Sequence, residues 1–428
     1  MTKGIILAAP ASGSGKTTLT LGILRALRDT GLEVAAAKSG PDYIDPRFHD
    51  AACGGESVNL DAWAMQPSAI QALAGRVQGK LLIIEGAMGL FDGAPPHGKG
   101  ATADLAQILE LPVVLIVDAS HQAQSLAALV QGFARHRQGV HVAGVILNKI
   151  GSPRHEAMIR AVLDMVPILG AIPRDARLAL PSRHLGLVQA GELAALEQFI
   201  AAAANMIADE IDLQMLRELA ADIAPSAWND TLLPPLGQRI AIAKDHAFSF
   251  TYQHILQSWQ NSGASIHFFS PLADEVPDPS AEAIFLPGGY PELHAGKLAN
   301  AARFKTAMRQ AAARGTAIYG ECGGYMVLGE GLVDANNQRH EMLGLLRLET
   351  SFATRKLHLG YRRLQALRGP WQGQFNGHEY HYSTTLKAEG EPLFAAQNAE
   401  GDNLGPAGLV QGSVCGSFVH LIAKGQPA

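Results

Sequence analysis

Two side chains stand out for the chemistry their neighbours would support: Cys322, between glycines in AIYGECGGYM, and Lys16, in the glycine-rich run AAPASGSGKTT. The cysteine offers a sulfur nucleophile once a base has taken its proton. The lysine offers a cation to phosphate oxygens, inside a turn whose backbone N–H groups can wrap them. A phosphate loop alone serves many activities, and a glycine-flanked cysteine alone can be structural. Together they point to nitrogen taken from glutamine and placed on a phosphorylated carboxylate.

The phosphate-loop run comprises Gly13, Ser14, Gly15, Lys16, Thr17 and Thr18, placed after an apolar stretch and opening an amphipathic one. In that setting Lys16 reaches the outer phosphates of ATP and the Thr17 hydroxyl holds Mg²⁺. The full pattern has glycine six positions before the lysine, where Pro10 stands here. The flexible end nearest the phosphates is kept. A glycine turn that binds nothing is the alternative, and the offsets of lysine and hydroxyl argue against it.

A hard cation takes oxygen ligands, and three acids are candidates beside Thr17: Asp61 in VNLDAW, Glu85 closing LLIIE, and Asp45 in KSGPDYIDPRFH. Glu85 is the strongest, because strand carboxyl ends in an open α/β sheet face the ligand crevice. Asp61 by itself also suits a helix N-cap before AWAMQ. Asp118, after VVLIV, has a strand-end position fitting an outer acid. Asn148 and Lys149, ending GVILNK, resemble base-recognition positions of related nucleotide-binding folds, with a plain strand-end turn as the alternative. Residues 38–46 are too polar and proline-bound for a core element and read as a loop at the sheet's carboxyl edge. Its acids Asp42 and Asp45, with Asp92 in EGAMGLFDG, would hold metal, accept amide protons or orient a substrate; solvated loop acids are the bland alternative.

In the second half, the small neighbours Gly320, Gly323 and Gly324 give Cys322 the look of a strained strand-to-helix elbow that exposes a nucleophile. Backbone N–H groups at Gly323, and at Gly288 and Gly289 in LPGGYPE, are the expected oxyanion donors. His420 in CGSFVHLIA is the expected base, since a thiol needs an imidazole partner to ionise at neutral pH. Cys415 lacks such an elbow and reads as a buried apolar residue.

The elements that must position these groups alternate between short β-branched runs and longer amphipathic stretches, the pattern of parallel-sheet α/β architecture. Strands are expected at 4–8, 34–38, 81–85, 113–118, 143–148 and 168–172, with helices at 16–29, 122–136 and 194–207. Prolines gather in 224–238, the expected linker between a first domain, 1–223, and a second α/β domain, 239–428. Strands at 240–244, 265–269, 283–287 and 317–320 precede a β-rich tail. At 428 residues, two domains of about 200 are expected. The charge of −5, from 34 basic and 39 acidic residues, shows no basic stripe, so neither nucleic acid nor membrane is an expected partner. Three cysteines, Cys53, Cys322 and Cys415, have no metal or disulfide spacing. A reducing cytoplasm is the natural home. The opening MTKGIILAAPA feeds straight into the nucleotide loop and reads as a strand rather than a targeting segment.

GSGKTT, KSGPDYIDPRFH, EGAMGLFDG, FLPGGYPELH, GECGGYM, GHEYHYS and GSFVHL together resemble the cobyrinic and hydrogenobyrinic acid a,c-diamide synthases of cobalamin biosynthesis. The resemblance covers nearly the whole chain. It implies an α/β fold in two parts: a dethiobiotin-synthetase-like phosphate-loop NTPase domain with a mostly parallel sheet, and a class I glutaminase domain. It implies Cys322 as nucleophile and His420 as base, Thr17, Asp61 and Glu85 around Mg²⁺, and Lys38 near the reacting phosphate. Asp42, Tyr43, Ile44, Asp45 and Asp92 would position the corrinoid carboxylates. The implied small molecules are a corrinoid acid, ATP and glutamine, and the implied assembly, if any, is a homodimer. The wider glutaminase class has a glutamate two residues beyond the histidine, and Ile422 stands there. A Cys-His dyad is the expectation, with Glu321 and Glu379 both open as orienting acids. Cobyric acid synthase shares the two-domain plan, but SGPDYIDP argues against it. A partition-type nucleotide-switch ATPase would account for the phosphate loop and for IPRD at 172–175, yet would leave Cys322, His420 and the second half without work.

Overall fold

The computed structural model describes residues 2–77, 80–178, 196–226, 228 and 230–425. The chain divides into two units, Met1–Asn229 and Asp230–Ala428. The division falls inside the proline-rich segment. Residues just after it are not solvated: Leu232 and Leu233 are buried, Leu233 O accepts from the Trp259 indole, and Pro234 O accepts from that of Trp371.

In the first unit, β1 (Lys3–Ala8), β2 (Val34–Ser39), β3 (Val58–Leu60), β4 (Leu81–Glu85), β5 (Val113–Asp118), β6 (Val142–Ile150) and β7 (Ile168–Pro173) form a parallel sheet. The order is β3-β2-β4-β1-β5-β6-β7, and β8 (Ala221–Asp222) pairs antiparallel with β1. Runs such as LLII and VVLI are fully buried because helices cover both faces of such a sheet. Apolar continuity, rather than alternation, is therefore what marks these strands in the sequence. The chain leaves central β1, builds one side of the sheet and returns to build the other. That reversal opens a crevice at the strands' carboxyl ends.

The helix α1 (Lys16–Asp29) follows β1 through the glycine turn, with Gly15 at φ 88° as its N-cap. Gly22 lets α1 lie close to the helix Leu196–Glu210, since a Cβ there would meet Ala203 O at 2.9 Å. Expected residues 194 and 195 of that helix lie outside the described residues. The polar run after β2 is a loop only as far as Ile44. From Asp45 it becomes α2 (Asp45–Cys53), because Asp42 Oδ1 accepts the N–H groups of Ile44 and Asp45 and starts the turn. The helix expected at 122–136 runs Leu126–Arg135, its first residues forming turns instead.

In the second unit, β9 (Arg239–Ala243), β10 (Ser265–Phe269), β11 (Ala283–Leu286) and β12 (Ala317–Glu321) are parallel, in the order β10-β9-β11-β12. The strand Val414–Ser417 adds parallel to β12, and Leu409–Gln411 adds antiparallel at the edge. The β-rich tail forms two further sheets of four and five strands. The five-stranded one carries Gln374–His381 beside Val419–Lys424.

Candidate functional site

The nucleotide side is built from strand carboxyl ends. Register places Lys38 of β2 opposite Glu85 of β4, and Glu85 opposite Leu7 of β1, the strand that enters the phosphate loop. Lys38 Nζ donates to Asp45 Oδ2 at 2.7 Å and to Glu85 Oε1 at 2.8 Å. The Thr17 hydroxyl donates to the same Glu85 oxygen at 2.7 Å. Burial alone would neutralise the Lys38 ammonium, but Asp45 and Glu85 reverse that and raise its pKa well above the ordinary range. Burial likewise opposes ionisation of Glu85, yet Lys38 and His49 hold its carboxyl far below the usual range. Lys38 and Glu85 therefore hold each other in their charged forms.

Lys16 Nζ donates to Met88 O at 2.7 Å, and burial lowers its pKa. Ser14 is buried and its hydroxyl donates to Ala11 O, while Thr18 Oγ1 reaches Leu178 O at 3.5 Å. Asn148 Nδ2 donates to Ser14 O, and a Cβ on Gly15 would meet that same nitrogen at 2.3 Å. The contact it makes thus props the phosphate loop. Lys149, at φ 60°, bridges Asp118 Oδ2 and Gly13 O from the same strand end.

Asp61 is fully buried, and its Oδ1 accepts the N–H groups of Trp63 and Ala64; it braces a turn rather than capping a helix, since the next helix starts only at Pro67. Tyr43 and Ile44 are buried beside Asp42. Burial, then the charge of Asp45, push Asp42 up to about 6. Asp92 Oδ2 accepts Gly89 N–H and so shapes the loop after β4.

His49 was not singled out from sequence. It is fully buried on α2, and its Nε2 lies 2.6 Å from Glu85 Oε2. Asp45 and His49 are four apart, one helical turn, so their reach into one cluster, Asp45 to Lys38 and His49 to Glu85, becomes legible once a helix is assigned from Asp45. Asn59 is a second such residue, its amide donating to Gly40 O and Asp42 O and fixing the loop after β2.

In the second unit, Cys322 sits between β12 and the helix Gly323–Leu328 at φ 47°, ψ −106°, a backbone conformation that non-glycine residues rarely adopt. Cys322 N–H donates to Ser417 O, tying the turn to the neighbouring strand, and three residues later that strand's continuation delivers His420. A Cβ on Gly288 would lie 2.9 Å from His420 Nε2 and 3.2 Å from Cys322 Cβ, so thiol, imidazole and the Gly288 backbone converge. A Cβ on Gly323 would lie 3.1 Å from Gly289 N, so these backbone stretches pass face to face beside the sulfur.

Burial, then the negative charge of Glu292, push the Cys322 thiol well above its ordinary range. It needs a base to ionise. His420 is 1 % exposed, with Nδ1 3.5 Å from Glu321 Oε2. Glu379 is held by Arg362 Nε and by His381 Nε2. His358, Glu379 and His381 have donor atoms within 4.8 Å of one another, but the two imidazoles stack at 8° and Glu379 is paired with the guanidinium, the pattern of a packed polar cluster. Cys415 is buried, as its apolar reading expected. No helix among the described residues is long and apolar enough to cross a membrane.

Comparison with known proteins matches each unit. Residues 5–188 match the CobQ/CobB/MinD/ParA nucleotide binding domain, and residues 239–428 match the CobB/CobQ-like glutamine amidotransferase domain. Among curated relatives, hydrogenobyrinate a,c-diamide synthase of Brucella abortus biovar 1 is 56% identical over 431 residues, covering 98% of both chains. The proteins of that name from Rhizobium meliloti and Rhodobacter capsulatus are each 54% identical, covering 98% of this chain and 99% of theirs.

Proposed function

This chain belongs to the hydrogenobyrinate a,c-diamide synthase family, and from that premise we propose that it amidates the a and c acetate carboxylates of hydrogenobyrinic acid, using ATP and glutamine through acyl phosphates. The observation that carries the reading is the convergence of Cys322, His420 and Gly288 in a chain whose other unit presents Lys16, Lys38 and Thr17 at one crevice.

A carboxylate is a poor acceptor for ammonia, so activation comes first. The substrate carboxylate attacks the γ-phosphate of ATP and ADP leaves, giving the acyl phosphate, with Lys16 and Lys38 as the cations beside the transferring group. Asp42 and Asp92, in the loops after β2 and β4, and Asp45 at the start of α2 would orient the corrinoid side chains. Thr17, Glu85 and Asp45 supply the hard oxygen donors that suit Mg²⁺, and Thr17 already meets Glu85 at 2.7 Å. When bound, that ion would offset phosphate charge.

In the second unit, His420 takes the Cys322 proton, the thiolate attacks the glutamine amide carbon, and His420 returns the proton to the departing ammonia. Backbone N–H groups at Gly289 and Gly323 would meet the oxyanion. Water then cleaves the thioester to give glutamate. The ammonia displaces phosphate from the acyl phosphate, and the cycle repeats on the second carboxylate.

Product mass after incubation with ATP, Mg²⁺, glutamine and either hydrogenobyrinic or cobyrinic acid tests the reading. Two amides should form on the metal-free ring, and Cys322→Ala should make them only from added ammonia. Glutamine hydrolysis without any corrinoid mass shift would keep the glutaminase and reject the substrate.

A further inference from the structure

We propose that Glu321, the residue immediately before the nucleophile, is the carboxylate that positions His420, so that the relay of this unit runs from Cys322 through His420 to Glu321. The inference rests on the glutaminase reading above and names the residue that makes the imidazole competent.

The imidazole is spanned from two sides. Its Nδ1 lies 3.5 Å from Glu321 Oε2, while its Nε2 would lie 2.9 Å from a Cβ on Gly288 that itself would meet Cys322 Cβ at 3.2 Å. The carboxylate is itself fixed: Oε1 accepts Leu421 N–H at 3.0 Å and the Tyr319 hydroxyl at 3.1 Å. Leu421 follows His420 directly, so one carboxylate holds the backbone that carries the base and lies beside its ring. Glu321 and His420 are 4 % and 1 % exposed. Charges that deep are tolerated when paired and hydrogen-bonded, and the forming imidazolium is the natural partner.

A carboxylate at Nδ1 selects the tautomer with its proton there. The Nε2 lone pair is then left to accept the thiol proton, and the imidazolium is stabilised once it has done so. The alternative acids serve elsewhere. Glu379 is engaged by Arg362 and His381, and two residues beyond His420 on the same strand stands Ile422, fully buried and apolar.

Steady-state glutamine hydrolysis by the full-length wild type, Glu321→Gln and Glu321→Asp tests the role. Glutamine at position 321 still offers an oxygen to Leu421 N–H and the Tyr319 hydroxyl, but presents N–H to His420 Nδ1 and so reverses the tautomer. The expected result is a kcat lowered ~10²- to 10⁴-fold with KM changed less than about threefold, an unfolding midpoint close to wild type, and recovery of at least about tenfold in the aspartate variant. A glutamine variant within about threefold of wild-type kcat overturns the positioning role, as does a loss explained by a lowered unfolding midpoint. A wild type that releases no glutamate overturns the glutaminase reading itself, an outcome distinct from an active variant.

Discussion

Lys38 shows how far a single buried charge can organise a site. Its ammonium is held by Asp45 and Glu85, and Glu85 in turn by Thr17 and His49. Removing one member of such a set leaves unbalanced charge in low dielectric, with a typical cost of about 3–5 kcal/mol. Lys38→Met should therefore lower the urea midpoint of the synthetase unit and abolish amidation from either nitrogen source, while glutamine hydrolysis persists. A variant that stays as stable as wild type would show that Lys38 is not the balancing charge. His378 gives the second unit a pH signature. Burial first, then its neighbours His420 and Arg362, lower it from 6.5 to about 3. Below 6.5 the unfolded chain therefore binds a proton that the folded chain refuses. Stability present above that pH should decline as acid is added toward about 3. Unfolding free energies from urea titrations at pH 7.5 and pH 5 should differ by roughly 2 kcal/mol more in wild type than in His378→Gln.

Among the elements, the close approach of the β11 exit to the nucleophile turn is the most exacting. A Cβ at Gly288 would fall 2.2 Å from His420 Cε1, so Gly288→Ala should displace the imidazole and cut glutamine-dependent amidation while ammonia-dependent amidation continues. Gly324→Ala is expected to be worse for the fold, since its Cβ would sit 1.9 Å from Leu286 O. Thermal unfolding separates the two: the first variant should melt near wild type and the second well below it. The strands were legible because unbroken apolar runs such as VVLIV mean burial on both faces. Glu85 was legible because a parallel sheet gathers strand carboxyl ends on one edge, whereas Lys38 and Asn148 entered only through resemblance. What escaped was α2. Proline and acidic residues made 38–46 look like pure loop, although a helix starts within that run at Asp45, just past the turn Asp42 braces, and places His49 one turn further on. The orienting acid escaped too. Sequence offered Glu321 and Glu379 equally, and only cross-strand distances separate them.

At the scale of the molecule, two units with separate cores imply two separable failures. Lys16→Ala should end ATP-dependent amidation with glutamine or ammonia yet leave glutaminase turnover. ATP at about a hundred times its Kd should stabilise the wild type by about 2.7 kcal/mol and leave that variant unmoved, a difference readable in unfolding midpoints. The tie between Cys322 N–H and Ser417 O has a further meaning for how such a chain can change over generations. Cys322 and His420 follow two adjoining strands, β12 and Val414–Ser417, while the chain between them departs and returns as two further sheets, one of which pairs His378 with His420. Lengthening or decorating that excursion at its exposed bend 335–338, away from the strand that pairs with His420, leaves the two residues where they were. A slip of one residue between those two strands would separate the pair at once. Novelty in this lineage thus has an address, and so does its one intolerable error.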